Sequence, residues 1–264
     1  MFEQFYDSRI LLIYLAIKYE GNCEKMIFAL ETRDIAIPYE KALKAYQSLK
    51  CRAITILDYD YPRKLLQMRC PPLVLFYYGD ISLLDKPMMA VVGSRECVKV
   101  GIEATESIVG DFAKGNVVIS GLAKGIDAIA HRCAIDNGGR TIAVLGSGID
   151  YCYPFENKKL YDEIKKNHLL ISEYPFKTMP EREHFPMRNR IIAALADLIY
   201  VPQINTYMSG TMITLTIGLD SGKPIYVAPH PPGTPTINNQ LINEGAGVAD
   251  TVAQMLEEIR WPTK

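Results

Sequence analysis

The chain has 264 residues, of which 48% are hydrophobic and 22% charged, and its formal net charge is −1. That composition fills a sizeable core and excludes a disordered chain and a strongly basic domain, although a neutral chain can still carry a local basic pocket. No apolar run approaches the roughly 20 residues of a spanning helix, so no membrane segment is expected.

Residues 1–50 read as a small helical domain. Ser8 can cap a helix through Leu11, Leu12, Leu15 and Ala16, a second covers 23–30, and Pro38 can open a third through Leu43, Tyr46 and Leu49. Glu3 and Asp7 lie close to Met1 and do not resemble a signal peptide, so a cytoplasmic protein is expected. Residues 51–87 form a bridging segment with strand candidates at 54–57 and 73–78, the second set off by Pro71 and Pro72. Its tyrosines, Tyr59, Tyr61, Tyr77 and Tyr78, suit either base stacking or a seam between domains.

From residue 88 the pattern changes, and residues 88–264 read as one sheet domain. Strands are predicted at 88–92, 117–120, 141–145, 169–172, 198–201 and 224–228. Helices are predicted at 100–114, 125–136, 157–167, 189–196 and 209–220, with a final one at 250–259. Continuous apolar strands separated by crossover helices indicate an α/β fold, a mostly parallel sheet with helices on both faces. Ligands of such sheets bind beyond the carboxyl ends of the strands.

The informative residues fall at those ends. The first strand stops in Gly93, Ser94 and Arg95: a close turn, a hydroxyl and a fork of donors for phosphate. The second stops at Ser120 and Gly121, followed by Lys124 and by a helix carrying Asp127 and His131 four residues apart. The pair can be catalytic, structural or ligand-positioning. The third stops in Gly146, Ser147 and Gly148, and Tyr153 beyond them can stack on a base or pack under the loop. After the fourth, Phe185 precedes Arg188, Asn189 and Arg190, which reach the predicted start of a helix and suit phosphate contacts there. Ser209, Gly210 and Thr211 open the next helix as a second anion site. Asn238, Asn239 and the turn Gly245-Ala246-Gly247 read as a polar rim. Neither G-x-G-x-x-G nor a Walker A motif is present, but the repetition of glycine, hydroxyl and arginine points to a phosphate-containing ligand.

The cysteines, Cys23, Cys51, Cys70, Cys97, Cys133 and Cys152, contain no CxxC pair, and His131, His168, His184 and His230 lack ligand spacing. Six reduced thiols, no metal and no cofactor are expected.

The segments VVGSR, VISGLAKGIDAIAH, GGRTIAVLGSGIDYCYP, ISEYPF, FPMRNRIIAALAD, SGTMITLTIGLDSGKPIYVAP and NQLINEGA, with DYDYPRKLLQMRCPPLVLFYYGD before them, resemble in order and spacing the DNA-processing protein A (DprA/Smf) family. The resemblance implies an extended Rossmann-like domain preceded by a small helical, SAM-like one. It implies a non-catalytic protein that binds single-stranded DNA, forms a homodimer and loads the RecA recombinase during natural transformation and recombination. Carried over by motif, the DNA pocket comprises Gly93, Ser94, Arg95, Ser120, Gly121, Lys124, Gly146, Ser147, Gly148, Phe185, Arg188, Asn189, Arg190, Ser209, Gly210 and Thr211, with no catalytic residue. Lys124 stands where the family often has arginine. Val201-Pro202-Gln203 replaces its VEA, and the run from Ala228 to Gly233 replaces its VPG. A winged-helix domain is not expected. The alternatives are a phosphoribohydrolase-like enzyme acting on nucleoside monophosphates, which would need a glutamate absent from PPGTPT, and an interaction scaffold independent of DNA.

Overall fold

Most predicted elements form where the apolar periodicity puts them in the computed structural model, which describes residues 7–32 and 38–257. The chain begins with α1 (Ser8–Lys18), α2 (Cys23–Glu31) and α3 (Tyr39–Gln47). Asp7 and Asn22 cap the first two helices by accepting hydrogen bonds from Arg9 N and Lys25 N. Then come β1 (Arg52–Thr55), a single turn α4 (Arg63–Leu66) and β2 (Val74–Gly79). The alternating part follows as β3 (Met88–Val91), α5 (Lys99–Phe112), β4 (Val117–Ser120), α6 (Ile126–Asp136), β5 (Arg140–Leu145), α7 (Lys158–Asn167) and β6 (Leu169–Ser172). It continues with α8 (His184–Leu195), β7 (Leu198–Val201), α9 (Gly210–Asp220), β8 (Ile225–Val227), α10 (Asn238–Asn243), β9 (Gly247–Val248) and α11 (Val252–Glu257). The last two residues of the predicted final helix lie outside the described residues.

The described strands make one sheet in the order β1-β2-β6-β5-β4-β3-β7-β8-β9. Strands β3 to β9 are parallel, and β2 runs antiparallel to both β1 and β6. This is an extended Rossmann-like α/β fold. Successive strands build outward from β3 in one direction as far as β6 and in the other from β7 onward, so the strand order reverses between β3 and β7. The crevice beyond the carboxyl ends of these two strands is where such a sheet leaves room for a ligand.

Both faces are covered. Met88, Ala90, Ile119, Ile142 and Ile199 pack under Ile191, Ile192 and Leu195 of α8 and Leu215 of α9. Met89, Val91, Val118, Leu198 and Tyr200 pack under α5 and α6. Leu12, Leu15 and Met26 of the first two helices share a core with Val74 and Phe76 of β2 and with Leu160 and Ile164 of α7. The bridging segment supplies two strands to the sheet, and the amino-terminal helices rest on that edge. Of its tyrosines, Tyr61 is buried with its hydroxyl donating to Pro72 O at 2.6 Å, and Tyr59 is 92% exposed.

Three expectations change. Helix α8 begins at His184, five residues ahead of its predicted start. A proline usually marks a boundary, but Pro186 sits in the first turn, where its missing N–H would have had no intrahelical partner anyway. Cys23 and Cys70 form a disulfide, so four thiols rather than six are free. Helix α2 lies against the chain entering β2, which closes a separation of 47 residues that sequence spacing cannot show. Asn238 belongs to no rim. It is fully buried, accepts from Ile204 N and donates to Pro202 O and Ala228 O, clamping the chain after β7 to the end of β8.

Candidate nucleic-acid interface

A cavity of about 450 Å³ lies beyond the carboxyl ends of β3 and β7, at the reversal of strand order. Its walls come from the chain after β3, the first two turns of α8, the loop after β7 and the amino end of α9. A smaller space of about 60 Å³ adjoins it, and Arg95, Ala123, Phe185 and Arg188 line both.

The turn after β3 is set by its neighbours. Ser94 N donates to Gln203 O at 2.9 Å, and Ser94 Oγ accepts from Asn205 N at 3.0 Å, so its hydroxyl holds the β7 loop. Gly93 O accepts from Thr211 Oγ1 at 3.2 Å, which ties the same turn to α9. Gly125, at φ +74°, lets the loop after β4 approach within contact of Ser94 O and Arg95 O, where a Cβ would come within 2.5 Å of both oxygens. Arg95 is left exposed at the mouth with its guanidinium outside every ion pair of the described residues.

Arg188 forms the floor. It is 5% exposed, and its Nη1 donates to Val144 O at 2.9 Å. Gly121 makes that position possible, because a Cβ there would lie 1.5 Å from Nη1. Asp127 supplies the compensating charge, with Oδ2 accepting from Gly121 N at 3.1 Å and Ala123 N at 3.4 Å. Burial pushes the Asp127 carboxyl up and the Arg188 guanidinium down from their ordinary values, and each charge opposes the shift of the other. A guanidinium keeps its proton in any protein environment, so Arg188 stays charged, with Asp127 as its counter-charge. Three buried atoms around the cavity have no hydrogen-bond partner among the described residues: Arg188 Nε, Ser209 Oγ and Thr214 Oγ1. Buried polar atoms are normally paired, and an anion or sugar hydroxyl would satisfy these. Ser209 caps α9 without a side-chain bond, so the free N–H groups and positive dipole end of α9 also face the cavity. Asn189 Nδ2 donates to Gly210 O at 3.1 Å and links α8 to that end.

Phe185 is half-buried between the two spaces, its ring centroid 5.4 Å from that of Tyr153, which is 44% exposed. Gly146 lies directly beneath the Phe185 ring. Lys124 is exposed and paired with Glu156 beside the smaller space.

The structure thus brings Gly93, Ser94, Arg95, Gly121, Lys124, Phe185, Arg188, Asn189, Ser209, Gly210 and Thr211 to one place. Five predicted residues stand outside it. Ser120 is buried with its hydroxyl donating to Val91 O at 2.6 Å, and Ser147 Oγ donates to Tyr151 O at 2.9 Å. Gly146 and Gly148 are buried scaffold of the β5 loop. Arg190 points away: its guanidinium donates to Glu173 Oε1 at 2.6 Å and to Cys70 O at 2.7 Å. Residues two apart on a helix face opposite sides, so Arg188 and Arg190 cannot share a ligand once both lie inside α8. Nor do Asp127 and His131 pair. His131 Nδ1 bonds Thr141 Oγ1 at 2.7 Å, and burial with the Arg188 charge lowers the imidazole to about 3. Asn205 and Thr206, which the sequence reading missed, line the cavity from a loop whose only signal is its polarity after a buried strand. No cluster of His, Cys, Asp or Glu among the described residues is arranged to hold a metal ion, and no helix there is long and apolar enough to cross a membrane.

The family model for DNA recombination-mediator protein A matches residues 52–260. The chain is 40% identical over 214 residues to DNA processing protein DprA of Streptococcus pneumoniae, covering 80% of this chain and 76% of that protein. It is 36% identical over 223 residues to DNA processing protein DprA of Bacillus subtilis, covering 83% and 75%. Among solved structures, the S. pneumoniae protein superposes with a TM-score of 0.80 at 31% identity, covering 99% of this chain and all of that one. DNA processing protein A of Helicobacter pylori, studied for its single-stranded DNA binding mode, superposes with a TM-score of 0.72 at 29% identity, covering 80% and 99%.

Proposed function

The chain belongs to the DNA recombination-mediator protein A family, and from that premise we propose that it binds single-stranded DNA at the β3/β7 cavity and delivers it to the RecA recombinase. The observation that carries this reading is the convergence of Arg95, Arg188 and the amino end of α9 on one cavity at the switch in strand order. Arg95 meets the backbone at the mouth, Arg188 and the α9 N–H groups hold a phosphate deeper in, and Phe185 offers a ring to a base. No contact in this scheme distinguishes one base from another, so binding has weak sequence preference and strong salt dependence. The reading requires no covalent step.

The same reading takes the protein to be a homodimer working in the cytoplasm, where RecA meets incoming strands. Helix α9 supports self-association. Its sequence, GTMITLTIGLD, is mostly apolar with no distinct polar face, yet Leu219, away from the cavity lining, is 66% exposed. An exposed large apolar residue on such a helix suits an interface, and a second copy of this chain would provide one.

The test is a salt titration of oligothymidylate binding. Arg95→Ala and Arg188→Ala are each expected to weaken binding and to reduce the slope of log K against log salt by about 0.7, one phosphate contact on a single strand. Unchanged affinity in both variants would refute the site.

A further inference from the structure

A second groove, of about 640 Å³, opens at the opposite end of the sheet. It lies between the start of β1, the end of β2 and the last turn of α7. Gly79 of β2 pairs with Leu169, the first residue of β6, so the groove sits at the amino ends of the parallel strands. It is separated from the β3/β7 cavity by more than the length of a strand, about 20 Å for six residues, because β4 and β5 also stand between β3 and the β6-β2-β1 side of the sheet.

Four cations line this groove, Lys50, Arg52, Lys165 and Lys166, against one carboxylate, Asp80. Among the described residues none of the four sits in an ion pair. The Asp80 carboxylate is occupied, since Oδ1 accepts from Ser82 N at 3.1 Å and from Ser82 Oγ at 2.7 Å to cap the following turn. Other groups there are neutral at pH 7: burial raises the Cys51 thiol to about 11, raises the Tyr78 phenol and lowers His168. Lys165 Nζ lies 3.9 Å from the Tyr78 ring centroid, a cation–π contact that holds one charge in place without neutralising it. The result is an excess of positive charge, four cations against Asp80 and the nearby Asp150, set among half-buried tyrosines on a chain whose overall charge is −1.

We propose that this groove is a second contact for the phosphate backbone of single-stranded DNA, so that one strand held at the β3/β7 cavity runs on to the far end of the sheet. The inference rests on the function proposed above. A strand anchored at one end presents its remaining phosphates to the groove at high effective concentration, so modest contacts there lengthen the bound segment. Unpaired cations beside aromatic rings suit a flexible polyanion better than an acidic peptide, which the exposed edge of β1 would instead recruit through backbone pairing.

The experiment compares oligothymidylates of about 6 and about 40 nucleotides, lengths below and above the reach of one contact. The full chain is compared with the triple variant Lys50→Ala/Arg52→Ala/Lys166→Ala. The variant should bind the short strand as the wild type does. It should bind the long strand about tenfold more weakly, with a salt slope smaller by about 2. The charge-preserving variant Lys50→Arg/Arg52→Lys/Lys166→Arg should restore the long-strand slope. If the triple variant does not fold, Lys166→Glu alone, at an exposed helix end, should weaken only long-strand binding. Unchanged long-strand affinity and slope overturn the proposal. Equal loss at both lengths also overturns it, because the effect then lies in the first cavity. So does saturable binding of polyglutamate to the groove with long-strand binding unaffected. Failure of the wild type to bind the short strand counts against the first cavity alone, and the long-strand comparison still decides the groove.

Discussion

Gly121→Ala isolates the support under Arg188. The backbone of Gly121 is not in the left-handed region, so alanine carries no conformational penalty there. The added Cβ would instead lie 1.5 Å from Arg188 Nη1 and 2.2 Å from Cζ, far inside contact distance. The guanidinium must leave its place and lose the 2.9 Å bond to Val144 O and the proximity of Asp127. Separating a buried charge from its partners costs about 3 kcal/mol, which for a chain of this size lowers Tm by roughly 6–12 °C. Gly115→Ala is the control, since nothing lies within 4 Å of a Cβ at that position. It should change stability by no more than about 0.5 kcal/mol. Urea unfolding and oligothymidylate binding would be measured for both. Gly121→Ala should lose stability together with the salt slope of one phosphate contact. In an Arg188→Ala background the obstruction is gone, and the cost of Gly121→Ala should fall to about 0.5 kcal/mol, giving a clear coupling energy in the cycle. Additive effects, or a Gly121→Ala protein that melts and binds like the wild type, would refute the placement of Arg188.

His131 should make stability depend on pH. Its folded value is about 3 against an unfolded value of 6.5, so between these the unfolded chain binds a proton that the folded chain does not. Stability is complete above pH 6.5 and falls as pH drops through that window, by about 1.4 kcal/mol per unit from this group. His131→Gln should flatten the slope of unfolding free energy between pH 4 and 6 by that amount, and identical slopes would show that His131 titrates normally in the fold. Arg190→Ala leaves Glu173, 4% exposed, without its cation and should cost about 3–5 kcal/mol in urea unfolding. At temperatures where the variant is folded, its salt slope should match the wild type, and a reduced slope would return Arg190 to the DNA site. Leu219→Asp should shift the protein toward monomer in sedimentation velocity, with short-strand affinity retained. An unchanged sedimentation coefficient would remove α9 as the self-association face.

The apolar runs from β3 to β8 were legible because burial on both faces leaves a local mark: most residues of such a strand are apolar whatever its partner. The crossover helices between them made the parallel sheet legible too, and with it the end of the sheet where the cavity opens. Arg95 was readable from the same logic, since Gly93 and Ser94 follow directly on a buried strand. Arg188 was readable as a cation near the strand ends but not as the floor of a cavity. Its burial depends on Gly121, Asp127 and Val144, which come from β4, α6 and β5 and meet only in the folded sheet. Arg190 stands at a helix start when the helix is taken to begin at 189, and the five residues between that start and the observed one turn an apparent pair of arginines into different faces of one helix. The disulfide of Cys23 with Cys70 and the charge gathered beside Lys165 are likewise invisible along the chain. Periodicity and composition record how each segment meets its immediate surroundings, and that determined the elements, the fold class and the motif residues. Which side chains converge depends on strand order and helix rotation, which are set by packing between segments distant in sequence, and only the tertiary structure decided those.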